Sequence, residues 1–241
     1  MHIKIEKEAA DFRAIHGFSS RDPIQLKSLL LKLNVITLFK PLSEDFSGMA
    51  VKVGDYRFML INSAHSVGRQ HFSICHELYH LYIQKDFKPH HCLAGTFSKK
   101  NRTEYLADLF AANLLIPKDG IISMIPTEQL EKDKITLETI LKLEHYFNCS
   151  RSALLIKLEQ LKLLSEKKAQ LFKNDVILSA RKYGYDDKLY KPGNQGKVIG
   201  DFGPLAKKLY DSEIISEGHY IELMHSIGFD ALNNTVTDEA S

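Results

Sequence analysis

The stretch from Gln70 to Lys85 constrains this chain more than any other. It contains His76-Glu77-Leu78-Tyr79-His80, and no Gly or Pro interrupts it. Leu78, Tyr79, Leu81 and Tyr82 supply apolar and aromatic surface, so the segment reads as a helix. Positions i and i+4 of a helix lie about 40° apart around the axis. His76 and His80 therefore point the same way, one turn apart, and both imidazoles can reach one ion. Glu77 is rotated off that face and is better placed to touch a water beside the ion than the ion itself. Two ligands and a general base on one turn is the working content of His-Glu-x-x-His. The plain alternative is two buried histidines on a core helix, but their ring nitrogens would then each need another partner.

A catalytic zinc ion commonly takes three protein ligands, and the chain offers a third. Glu104 to Pro117 again reads as a helix, with Thr103 as the expected N-cap and Pro117 as the stop. Leu106, Leu109, Phe110, Asn113 and Leu114 follow helical spacing. Glu104 and Asp108 are i and i+4 on a segment otherwise rich in Ala and Leu. Glu104 can complete the ligand set, and Asp108 can accept a hydrogen bond from the far nitrogen of a ligating histidine. An exposed acidic pair on an amphipathic helix is the competing reading.

These two segments together resemble the ImmA/IrrE family of metallopeptidases. His76-Glu77-x-x-His80 is followed by Glu104-x-x-Ala107-Asp108-x-Phe110-Ala111-x-x-Leu114-Leu115-x-Pro117, and it is preceded by Ile61-Asn62, Arg69 and Phe72, as in that family. The resemblance covers residues 5 to 120 well and the rest loosely. It implies zinc held by His76, His80 and Glu104, with Glu77 as the catalytic acid/base. It also implies a cytosolic endopeptidase whose substrates include helix-turn-helix repressors. Three positions depart from the family pattern: Tyr79 where Gly is frequent, Cys75 where Ala is frequent, and Asp108 where Asn is frequent. Tyr79 is expected to narrow the cleft. A site of nitrogen and oxygen donors also leaves open another divalent ion such as Mn2+.

Composition narrows the classes. Hydrophobic residues make up 44% and charged residues 26% of 241, a soluble globular balance. The net charge of +2 gives no push toward nucleic acid or membrane. The cysteines, Cys75, Cys92 and Cys149, are odd in number and scattered, which fits reduced thiols in a cytoplasm better than a disulfide framework. The charged N-terminus lacks an apolar signal region, and no run approaches a membrane span.

Along the chain, residues 3–15 read as a helix with Ile5, Ala9, Phe12 and Ile15 as its apolar stripe and Gly17 as its end. A second helix is expected over 24–33, with Asp22 as N-cap, Pro23 at its first position and Asn34 closing it. Val35 to Phe39 is a β-rich run. Met49, Val51 and Val53, then Gly54-Asp55, then Tyr56, Phe58 and Leu60 form a hairpin signature. Tyr56 to Ile61 is expected to be the sheet edge that pairs with an extended substrate, with Met59 pointing outward. Residues 84–101 read as a mobile rim loop; His90, His91 and Cys92 within it are adjacent and lack zinc-finger spacing.

Residues 118–135 look like a connector. Thr136 to Phe147, a turn at Asn148-Cys149-Ser150 and Ser152 to Leu164 resemble a helix-turn-helix. The second helix is nearly all Leu and Ile, with Lys157 and Lys162, so packing on the protease is favoured over DNA binding. Residues 166–184 read as one long amphipathic helix, 185–203 as an exposed loop, and 204–210 and 216–227 as short helices.

The expected class is α+β. A zincin-like metallopeptidase domain, with a small antiparallel sheet packed on the His-Glu-x-x-His helix, spans residues 1–120. A helix-turn-helix-like subdomain (121–165), a helical C-terminal region (166–232) and a flexible tail (233–241) follow. The expected function is zinc-dependent hydrolysis of a peptide bond in a protein substrate, a repressor encoded nearby, in the cytoplasm and without membrane contact. The alternative is a non-catalytic or DNA-binding regulator acting through residues 136–164. The oxyanion partner has four candidates: His71, Tyr79, Tyr82 and Arg102. Neither the cleavage site nor the oligomeric state follows from the sequence.

Overall fold

The structure is a computed structural model that describes residues 2–86, 94–98 and 101–229, and the backbone alone at 91–92. The first helix, α1 (His2–Ile15), buries Ile5, Ala9 and Phe12 as its spacing predicts, and Gly17 ends it at φ 82°. Ile15 is exposed, however, and Arg13 takes the buried place instead. The guanidinium is satisfied by main-chain carbonyls: Ser19 at 2.7–2.9 Å, Leu114 at 2.5 Å, and Asp22. A buried cation is tolerated where its donors are all directed at acceptors.

The second helix, α2 (Leu26–Lys32), is shorter than the 24–33 expected. Asp22 does not cap it. Its carboxylate accepts from Ser19 Oγ at 2.5 Å, and its carbonyl is held by Arg13, so the chain stays in a bend through Pro23. Asn34 closes α2 in the left-handed region at φ 52°, a conformation Asn tolerates.

Strands β1 (Val35–Lys40), β2 (Gly48–Val53), β3 (Tyr56–Asn62), β4 (His91–Cys92) and β5 (Val198–Ile199) form one sheet in the order β4-β2-β3-β1-β5. The hairpin has the predicted register, Val53 opposite Tyr56. Two expectations need correction. The sheet is mixed rather than wholly antiparallel, because β1 runs parallel to β3, with Val35 opposite Arg57 and Lys40 opposite Asn62. And β3 is not an edge: β2 and β1 flank it, and Met59 is fully buried. Alternation identifies a half-buried strand, but it carries no information about which neighbours the strand finds.

One face of the sheet receives α3 (Val67–Tyr82), which also packs against α4 (Arg102–Leu115). Asn101, not Thr103, caps α4; its side chain accepts from the Thr103 and Glu104 amides. The expected connector contains a helix, α5 (Lys118–Met124), which buries Gly120 and Ile121. Next come α6 (Leu137–Phe147) and α7 (Arg151–Gln160), capped by the side chains of Thr136 and Ser150, with left-handed Asn148 between them.

The long helix expected over 166–184 is two: α8 (Glu166–Phe172) and α9 (Val176–Lys182), broken at Asp175 with φ 51°. The segment expected as an exposed loop is anchored to the sheet and to the N-terminal turn of α3. β5 extends the sheet at β1, and the buried Gln70 side chain donates to Gly193 O and accepts from Asn194 Nδ2. Helices α10 (Phe202–Asp211) and α11 (Glu217–Ser226) end the described chain. The tail 233–241 lies outside the described residues. A single hydrophobic cluster runs from Ile5 through α3, α4, α6 and α7 to Ile199. No helix among the described residues is long and apolar enough to cross a membrane.

Candidate metal centre

Sixteen residues without a break give α3 its length, and its inward face is occupied by Phe72, Ile74, Cys75, Leu78 and Leu81. Ile61 and Asn62 lead into it. The Asn62 amide nitrogen donates to the carbonyls of Ser43 and Phe46, and its oxygen accepts from the Leu42 and Ala64 amides. This one side chain fixes the 42–47 segment, which brings Gly48 over α3.

His76 and His80 are buried side by side, their Nε2 atoms 3.1 Å apart. Glu104 comes from α4 to meet them. Its Oε2 lies 3.1 Å from His76 Nε2, and its Oε1 lies 3.4 Å from His80 Nε2. The three donor atoms lie within 4.8 Å of one another. Two atoms each about 2.0–2.1 Å from one tetrahedral ion stand roughly 3.3–3.4 Å apart. The observed separations therefore suit a single small divalent cation. Glu104 is the member that reaches solvent, with 15% of its side chain exposed, so the site opens on that side.

The far nitrogens are both held. His76 Nδ1 lies 2.9 Å from Asp108 Oδ1, and His80 Nδ1 lies 2.6 Å from Gln84 Oε1. With a cation at the site, each ring would donate at Nδ1 and present its lone pair at Nε2, the arrangement that orients a ligating imidazole. Asp108 was expected in this role. Gln84 was not, although its i+4 spacing from His80 is the same signal. Burial favours the neutral His76 ring, but the hydrogen bonds to Asp108 and Glu104 and the charge of Glu77 outweigh it and raise its pKa to about 10. A cation would replace the Nε2 proton that this shift represents.

Glu77 is fully buried, and its carboxylate lies against Gly48 of β2. A Cβ at position 48 would stand 3.0 Å from Glu77 Oε1, so the close approach of strand to carboxylate requires glycine. Burial raises the pKa of the Cys75 thiol, on the same helix, to about 12, which keeps it protonated and inert.

Of the oxyanion candidates, His71 Nδ1 is bonded to Asn148 O at 2.7 Å and the Tyr82 hydroxyl donates to Leu33 O at 3.1 Å, so both are engaged away from the three donors. Tyr79 packs edge-on against His80 and tilted against Phe110, and it is buried. Tyr79 and Arg102 line one cavity beside α1. His90 and the side chains of His91 and Cys92 lie outside the described residues; the backbone at 91–92 pairs with Gly48–Met49.

In α7, the apolar residues Leu154, Leu155 and Leu158 face the core, and Lys157 is buried with them, donating to Asn113 Oδ1 at 2.5 Å. Burial lowers its pKa to about 8.

Comparison with known proteins adds an independent finding. The family model described as "IrrE N-terminal-like domain", of the M78 peptidases, matches residues 33–159. The match begins just before β1, includes His76, His80 and Glu104, and continues through α7. A comparison with curated proteins finds no match. The family model covers more than half of the chain, and on that ground the chain belongs to the IrrE-like metallopeptidase family.

Proposed function

We propose that this chain is a zinc-dependent endopeptidase. His76, His80 and Glu104 hold the ion, Asp108 and Gln84 orient the two imidazoles, and Glu77 is the catalytic acid/base. The observation that carries the reading is the meeting of two Nε2 atoms and one carboxylate at separations of 3.1–3.4 Å, from two different helices. When bound, a divalent ion there acts as a Lewis acid that makes water nucleophilic near neutral pH and polarises a carbonyl. Glu77, one residue from His76 and shielded by Gly48, accepts the proton from the attacking water at its carboxylate. It then returns that proton to the amine as the peptide bond breaks. The burial of both imidazoles keeps bulk water from the donor nitrogens.

In this reading residues 1–120 carry the chemistry, while 121–165 and 166–232 pack on that unit. The substrate is a protein, and the family resemblance points to a helix-turn-helix repressor encoded nearby, acting in the cytoplasm. DNA binding through residues 136–164 is disfavoured because Lys157, the one lysine of α7, is buried; the helix expected over 152–164 ends at Gln160, so Lys162 lies beyond it.

The test uses the full chain, its metal content measured, incubated with a random peptide library. Cleavage with zinc, lost on chelation and lost in Glu77→Gln at unchanged metal content, is the expected result. Unchanged turnover in Glu77→Gln overturns the assignment.

A further inference from the structure

A cavity of about 290 Å3 opens between the first turns of α3, the segment 94–97 and the first turns of α7. Its lining includes Arg69, Phe72, Thr96, Ser150, Ser152 and Ile156. This volume stands at the small end of the about 300–1,000 Å3 range of ligand pockets and has room for one extended side chain. It adjoins the candidate metal centre through both of its walls. On one wall, the Gly95 and Phe97 amides donate to Asp108 at 2.7 and 2.6 Å, and Asp108 holds His76. On the other, Arg69 Nη2 lies 3.4 Å from Ser47 Oγ, and the next residue, Gly48, touches Glu77.

The floor is the same helix face. At 3.6 residues per turn, Arg69, His76 and His80 fall within about 40° of one another around α3, with Phe72 beside them. Arg69 stands seven residues before His76, about 10 Å along the axis. An extended peptide advances about 3.3 Å per residue, so this offset is about three residues of substrate.

Arg69 is the one charged residue in the described lining. It is half-buried, and burial lowers its pKa while the charge of exposed Glu44 partly offsets that; no described carboxylate, Glu44 included, lies within ion-pairing distance of it. A partly desolvated guanidinium whose nearby charge, Glu44, is not in direct contact favours a carboxylate that reaches it. The serines and threonine around it add hydroxyl donors, and Phe72 and Ile156 accommodate methylene carbons.

The α7 wall is built in, because Gly68 lets the two helices meet: a Cβ there would lie 2.8 Å from Ser150 N. We propose that this cavity is a specificity subsite that takes an acidic side chain of the protein substrate, about three residues from the scissile bond, with Arg69 as its recognition group and α7 as its outer wall. This rests on the peptidase reading above.

The test is the cleavage-site profile of the zinc-loaded full chain on a random peptide library, with products sequenced by mass spectrometry. Wild type is expected to enrich Asp or Glu roughly tenfold at one position about three residues from the cut, the effect of one charge-assisted contact. Arg69→Glu is expected to lose that enrichment and gain one for Lys or Arg at the same position. Ser152→Glu, at an exposed position in the first turn of α7, places a carboxylate in the opposite wall that competes with an acidic substrate side chain while residue 69 stays Arg. It is expected to lower the acidic enrichment while metal content stays the same. Cleavage by wild type with no acidic enrichment, or enrichment that survives both substitutions, overturns the subsite and leaves the peptidase standing. No cleavage by metal-loaded wild type removes both.

Discussion

Asp108 Oδ1 lies 2.9 Å from His76 Nδ1, and the same oxygen accepts the Gly95 amide at 2.7 Å. Its other oxygen accepts the Phe97 amide at 2.6 Å, and Phe97 sits in the left-handed region at φ 49°. One buried carboxylate therefore sets the tautomer of a ligand and ties down the segment that walls the adjoining cavity. Phe97 is held in a conformation that a bulky residue rarely adopts, which such a tether can impose.

Asp108→Asn separates these duties. The amide oxygen can still accept from His76, but the NH2 group faces an N–H donor at Phe97. Zinc affinity is expected to fall by about 10-fold, the low end for an outer partner of a ligand. Asp108→Ala orphans the buried donors and is expected to cost a further 1–3 kcal/mol or so of stability per donor left unpaired. Zinc titration and urea unfolding of both variants measure the two effects. Equal zinc affinity in all three proteins would show that Asp108 does not orient the ligand.

The carboxylate of Glu77 has a narrower tolerance. Gly48→Ala puts a methyl group about 3.0 Å from Glu77 Oε1 and 3.2 Å from Leu60 O. The strand is fixed by its ladder with β3, so the carboxylate gives way. A displacement of a few tenths of an ångström in a proton-transfer group is expected to lower kcat roughly tenfold, with KM and zinc content little changed. Gly48→Val should be worse. Full kcat in Gly48→Ala would place the proton-transfer group elsewhere.

The His76 shift gives a pH dependence with a definite sign. Its folded pKa, about 10, stands above the ordinary 6.5, so the metal-free fold binds that proton more tightly than the unfolded chain does. The resulting stability is fully present below pH 6.5 and is lost as pH rises through about 10. Metal competes for the same Nε2, so zinc binding should strengthen with pH over that window and release about one proton per ion at pH 7. Calorimetry in buffers of different ionisation enthalpy counts the proton. No release at pH 7 would mean that the apo ring is already neutral.

The parts of this arrangement that were legible in the sequence are the local ones. His76, His80, Glu104 and Asp108 are each set by i, i+4 spacing on an unbroken helix, and helix periodicity is a short-range signal. The hairpin at Gly54-Asp55 was visible for the same reason. What escaped depends on distant partners. β5 is two residues long and exists only because β1 offers it an edge. β3 looked like an edge until β1 returned parallel beside it. The break at Asp175 interrupts an amphipathic pattern without Gly or Pro; the pair Asn174-Asp175, which tolerates the left-handed region, is its one local signal. Arg69 was visible as part of a family pattern, but its cavity needs three separate segments to close.

The C-terminal region hangs on one buried network. Arg151 Nε pairs with Glu144 Oε1 across the α6–α7 turn, and both residues are buried. The other Arg151 donors reach Phe172 O at 2.9 Å and Ser179 Oγ at 3.4 Å, while the Tyr190 hydroxyl donates to Glu144 Oε2 at 2.6 Å. Burial raises the Glu144 pKa, and Arg151 and Tyr190 pull it back down. Arg151→Ala strands that carboxylate and is expected to cost about 3–5 kcal/mol. Glu144→Gln with Arg151→Met should cost less than Arg151→Ala alone, because no charge is left without its partner. Tyr190→Phe removes one donor to that charged carboxylate and leaves Arg151 in place, so it should lose about 1.5–3 kcal/mol, less than Arg151→Ala. Hydrogen exchange in Arg151→Ala should quicken first over residues 166–190, which the guanidinium and Glu144 hold against α7. Uniform quickening across the chain, including α3, would show that this network stabilises the whole core instead of docking one region on it.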